Sequence, residues 1–173
     1  MSENLAARRR GEAMAMQWVG FALQKIIADT AQGGNLANML LGEARSVGGE
    51  KGTSILKLGC AWTQNVVLAF AVELSLKALL VKQDGHHEHT HKLVDLYDKL
   101  SEETQNKIES EYLKALEEGG SKSDKSLIQL LADHQDDFVE WRYLDNADEN
   151  LDSEPNELQL AICAILNVYE VIP

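Results

Sequence analysis

The stretch that decides the fold is residues 60–81, CAWTQNVVLAFAVELSLKALLV. It is 22 residues long and apolar almost all round. A helix with that pattern either spans a membrane or runs through the middle of a helical bundle. Glu73 and Lys77 sit within it, and each ionised group would be costly in hydrocarbon. The central helix of a bundle is therefore expected, with no membrane span. Glu73 precedes Lys77 by one helical turn, the favourable order for an ion pair. Two charges on so apolar a helix need a reason, because an unpaired buried charge is expensive. They either pair with each other at the bundle edge or face a cleft, where Lys77 could meet a phosphate.

Punctuation places the flanking elements. Thr53 or Ser54 can cap the start of this helix, and Gly85 can end it as a left-handed residue. Upstream, Met16, Val19, Leu23, Ile26 and Ile27 make an apolar stripe, so a first helix is expected over about 12–29. Residues 1–11 precede that pattern and are expected to be flexible. Six of the twelve glycines fall within 33–52, so 31–53 reads as a Gly-rich connector. The connector holds Gly48-Gly49-Glu50-Lys51-Gly52-Thr53-Ser54, which has neither the Gly-Lys-Ser/Thr order nor the preceding strand of a phosphate loop.

Downstream, Leu93, Leu96, Tyr97 and Leu100 form one stripe. Ser101 can cap a helix with core positions Ile108, Tyr112, Ala115 and Leu116, closed by Gly119-Gly120. The next helix is expected to start near Ser123 or Asp124 and to bury Leu127, Leu131, His134, Phe138 and Trp141. The last opens at Pro155, with Ser153 as its cap, and buries Leu158, Ile162, Ile165, Leu166 and Tyr169. The fold class is all-α: an up-and-down helical bundle of four to five main helices in a single domain, 1–173.

Composition agrees. Leu and Ala number 43 against 23 for Val, Ile and Thr together, and both prolines fall at or after residue 155. Cys60 and Cys163 both lie in apolar helical patterns and are expected as interior thiols of a reducing, cytoplasmic compartment. No apolar run follows Arg8-Arg9-Arg10, so no secretory signal is expected. The formal charge is −12, which argues against broad binding of duplex DNA. The acid is concentrated late: residues 83–173 carry 7 basic and 22 acidic groups, whereas residues 1–82 are net +3.

Chemistry-bearing residues are sparse. His86, His87, His89 and His91 crowd one loop at a spacing that can hold zinc, nickel or copper. No second ligand cluster or HExxH accompanies them, so no metal and no other cofactor is expected. Arg142 is the only basic residue between Ser126 and Pro173 and suits a carboxylate or a phosphate equally. His134 reads as an edge-of-core histidine.

The order of features carries a resemblance. Ala71-Val72-Glu73-Leu74-Ser75-Leu76-Lys77-Ala78-Leu79-Leu80 is followed by a glycine, by His91-Lys92-Leu93, by Leu96-Tyr97 and Leu100, and later by Phe138-Val139-Glu140-Trp141-Arg142-Tyr143. This set resembles the HEPN superfamily (higher eukaryotes and prokaryotes nucleotide-binding domain). The resemblance implies a helical bundle that forms a homodimer. It also implies a nucleotide, RNA or cognate protein partner, in defence, abortive infection, a toxin–antitoxin pair or stress response. By position it implies Glu73, Lys77, His91, Arg142 and Tyr143 as ligand-binding candidates. Nuclease members carry Arg followed by His after four to six residues. Here the residues at that spacing from Arg142 are Ala147, Asp148 and Glu149, and no other arginine has such a histidine. A non-catalytic binding protein is therefore the leading expectation. The alternatives are a diverged metal-independent RNase that uses Arg142 with His91 or His134, and a purely structural dimer.

Overall fold

The computed structural model describes residues 2–32, 63–86, 89–119, 125–135 and 155–172. They form six helices and, among the described residues, no strand. Four are long: α1 (Ser2–Gln32), α2 (Thr63–Asp84), α4 (Glu102–Glu118) and α6 (Pro155–Val171). Two are short, α3 (Leu93–Asp98) and α5 (Leu127–Asp133). The fold is the all-α bundle that residues 60–81 point to. α4 packs on α6 and α3 on α5, and α6 also touches α1 and α5.

α2 is the axis of the core. Every residue from Ala71 to Val81 is buried. The helix is long and apolar enough to cross a bilayer, yet 78% of its most apolar window is buried inside the bundle. Leu68, Val72, Leu76 and Leu79 share one hydrophobic cluster with residues from α3 to α6. The helix stops as its sequence says it should. Gly85 has φ 78° and returns its N–H to the Val81 carbonyl at 2.9 Å. Gln83 then ties this end to the next long helix, its Oε1 accepting the Ser101 N–H at 3.1 Å. Ser101 caps α4 by accepting from the Thr104 N–H. Ile108, Tyr112 and Leu116 are buried at helical spacing behind it.

Four expectations are corrected. α1 begins at Ser2, ten residues before Glu12. Its first turns are rich in Ala and Arg, and Glu12 receives both Arg8 and Arg9 at 2.8 Å. Its hidden face is also different: Ala6, Ala13 and Gly20, seven residues apart, are buried, and Val19 is 44% exposed. The reason is close approach. A Cβ on Gly20 would lie 2.5 Å from Leu68 Cδ2, so α1 meets α2 where any larger residue would push the Leu68 side chain aside. Met16 packs partly against the core, and the side chains of Leu23, Ile26 and Ile27 lie outside the described residues.

α5 starts at Leu127, and its cap is Ser126. Ser126 and Gln129 form a reciprocal capping box, and Glu109 of α4 accepts the Leu127 N–H at 3.2 Å. Cys163 is exposed, with the Gln17 amide of α1 3.2 Å from its sulfur. Leu158, Ile162 and Ile165 occupy the buried face of α6 and leave Cys163 on the other. Cys60, the expected caps Thr53, Ser54 and Ser153, and the positions Phe138 and Trp141 lie outside the described residues.

Gly85→Ala forces a side chain into the left-handed region and should cost about 1 kcal/mol, roughly 2–4 °C of melting temperature for a chain of this size. Thermal unfolding followed by circular dichroism checks it; an unchanged midpoint contradicts the assigned role.

Candidate functional site

Glu73 and Lys77 face each other one turn apart, as their spacing allows. The Lys77 Nζ donates to Glu73 Oε1 at 2.7 Å, and the two residues are 6% and 3% exposed. Of the two readings open from sequence, the structure shows pairing. It also adds a third member. His91 Nδ1 lies 3.0 Å from the same Glu73 Oε1, and its side chain is 59% exposed. Gly85 ends α2, and His91 lies back alongside the middle of that helix. Leu93 and Leu96 then anchor α3 in the core and hold the segment in place. Just before α3, the Thr90 hydroxyl accepts the Lys92 N–H at 3.1 Å and donates to Asp95 at 3.4 Å.

The chemistry of the cluster follows from its bonds. An ionised carboxylate only accepts, so the His91 Nδ1 must carry the hydrogen. That fixes the tautomer and the ring's direction, as a carboxylate does for a working histidine. Glu73 and Lys77 cancel in charge, so the net charge of the cluster is set by His91.

The other candidates fall elsewhere. His134 is the C-cap of α5, buried, with its N–H on the Leu130 carbonyl at 3.2 Å. Arg142, Tyr143 and His87 lie outside the described residues. His86 Nδ1 sits 3.2 Å from the Asp84 carbonyl, and both His86 and His89 are exposed. Among the described residues, no three His, Cys, Asp or Glu side chains are grouped so as to hold a metal ion. Tyr97 is no proton donor at neutral pH. Burial, and then the nearby Glu109 and Asp98 carboxylates, push its hydroxyl up to about 12. The hydroxyl donates to the Gln105 carbonyl at 3.1 Å.

A second polar group was not foreseen from sequence. Lys82 donates to the carbonyls of Tyr169 and Ile172 at 2.8 and 2.6 Å, closing the end of α6. The same ammonium sits 4.8 Å from the Tyr169 ring centre. Arg10 of α1 lies 5.5 Å from that centre and pairs with Glu170. The only sequence signal was a lysine following the apolar run of α2.

A family model described as HEPN domain matches residues 68–171. No curated protein and no solved structure matches the chain.

Removing one partner of the buried pair leaves an uncompensated charge, so Lys77→Ala should cost about 3–5 kcal/mol. His91→Ala, on an exposed side chain, should cost under about 1 kcal/mol. Urea unfolding of the two variants measures the difference; equal losses contradict this account of the cluster.

Proposed function

The chain belongs to the HEPN domain family, and on that premise we propose that it is a non-catalytic, nucleotide- or RNA-binding bundle in one domain, 1–173. Membership of the family points to a nucleotide- or RNA-related function. The observation that supports binding at a defined place is Glu73 holding a buried Lys77 and a largely exposed His91. A charged pair is costly to desolvate in a core of aliphatic side chains, and its presence there with an exposed imidazole attached supports a recognition role. Arg142 and Tyr143 complete the candidate set by position in the sequence.

The proposed context is a cytoplasmic homodimer in defence, a toxin–antitoxin pair or stress response. Support for the dimer is the outer face of α1, where Trp18 is 69% exposed beside exposed Met14 and Val19. Light scattering should give twice the mass of the chain at micromolar concentration, and a monomer there removes the dimer from the proposal.

One observation favours a second reading. The Glu73–His91 bond gives His91 the fixed ring that proton transfer needs, so a diverged metal-independent RNase using Arg142 with His91 or His134 is the alternative. Incubating RNA with the wild type, His91→Ala and Arg142→Ala separates the two. The binding reading expects intact RNA in all three, together with saturable binding of a mononucleotide or a short RNA to the wild type. Cleavage by the wild type that either variant loses supports the enzyme.

A further inference from the structure

α1 lies outside the matched residues 68–171, and its first turns add little to the core. Among the described residues, the hydrophobic cluster is drawn from residues 68–172, with Met16 of α1 packed partly against it. Of residues 4–10, Ala6 alone is buried, and it brings one methyl group. What holds these turns is charge. Arg8 and Arg9 reach forward to Glu12 at 2.8 Å, while Arg10 pairs with Glu170 and lies 5.5 Å from the Tyr169 ring centre. The side chains in these ion pairs are 29–71% exposed. Pairs so open to water contribute little and are screened by salt. The docking is also incomplete. Among the described residues, the Nε atoms of Arg9 and Arg10 are buried with no hydrogen-bond partner, so closing these turns desolvates two donors that it does not satisfy.

Gly11 follows directly. It is exposed, and a Cβ there would meet nothing within 4 Å. No close approach calls for a glycine, in contrast to Gly20 against Leu68. A glycine inside a helix, with no packing role, weakens the helix at that point. Beyond it the seat is tighter: Ala13 and Gly20 are buried, and Met16 reaches the core. On the other side of the contact, Lys82 holds the Tyr169 and Ile172 carbonyls at 2.8 and 2.6 Å, so part of the closure of α6 is independent of Arg10.

We propose that residues 2–10 of α1 are a salt-releasable strap, hinged at Gly11 and latched by Arg10 on Tyr169 and Glu170, which opens while α2 to α6 stay folded. Opening frees Arg8, Arg9 and Arg10 together, the one run of three cations in the sequence, and uncovers the Arg10 side of the Tyr169 ring.

The test is hydrogen exchange on the full chain, followed residue by residue by nuclear magnetic resonance. The amides of residues 6–10 should exchange through one common opening, with a step in protection at Gly11, while those of α2 and α4 stay protected. Raising sodium chloride from about 0.05 to about 1 M should lower protection at 6–10 relative to α2. Arg10→Gln should lower it roughly three- to tenfold and reduce the salt response. Gly11→Ala, which has room for its methyl group, should raise it roughly two- to fivefold. Protection at 6–10 equal to that of α2 overturns the strap. So does protection that declines smoothly toward Ser2 and is unmoved by Arg10→Gln, the behaviour of an ordinary fraying end. Arg10→Gln lowering α2 and residues 6–10 by the same factor overturns the latch as a local device, and Gly11→Ala without a gain overturns the hinge.

Discussion

The structure depends on one constraint: α2 lies inside the core and carries two formal charges there. Glu73 and Lys77 are tolerated because each satisfies the other at 2.7 Å. Their spacing along the helix makes this automatic once the helix forms, so the pair needs no neighbouring element to assemble. What a neighbour adds is His91. The carboxylate has capacity for more than one donor, and the turn at Gly85 delivers an imidazole to it. A buried group with a solvent-facing attachment is thereby built from a helix, a glycine and a short return of the chain.

The outer helices obey a different rule. α1 reaches the bundle with Ala6, Ala13 and Gly20, and so with its backbone close to α2 and α6. Close approach lets small residues exclude water, while larger ones such as Trp18 and Val19 stay outward. α4 meets α6 instead through larger side chains, Ile108, Tyr112 and Leu116 against Leu158, Ile162 and Ile165.

Much of this was legible in the residues. The all-round apolar stretch marked the core helix. Gly85, Ser101 and Pro155 marked boundaries, because each acts through its own backbone or its immediate neighbours. The start of α5 was not legible: Ser123, Asp124 and Ser126 are all capable caps, and the choice falls to Gln129 and to Glu109 on another helix. The face of α1 was misread because hydrophobicity ranks Val19 above Gly20, whereas the contact with Leu68 is decided by size. Cys163 was misread because α6 has more apolar positions than buried ones. At the candidate site, the spacing of Glu73 and Lys77 was readable. Their contact with His91 spans eighteen positions and a chain reversal that no local pattern encodes.

The polar knot at Tyr169 has a consequence for how the bundle comes apart. Lys82 of α2 holds the last carbonyls of α6, and Arg10 of α1 engages Tyr169 and Glu170 in the same turn. Helix ends ordinarily fray independently. Here the final turn of α6 is held from two sides, by Lys82 on its carbonyls and by Arg10 on its side chains. The ends of α2 and α6 thus meet the third turn of α1, so amide exchange in the last turn of α6 is expected to respond to the docking of the N-terminal helix.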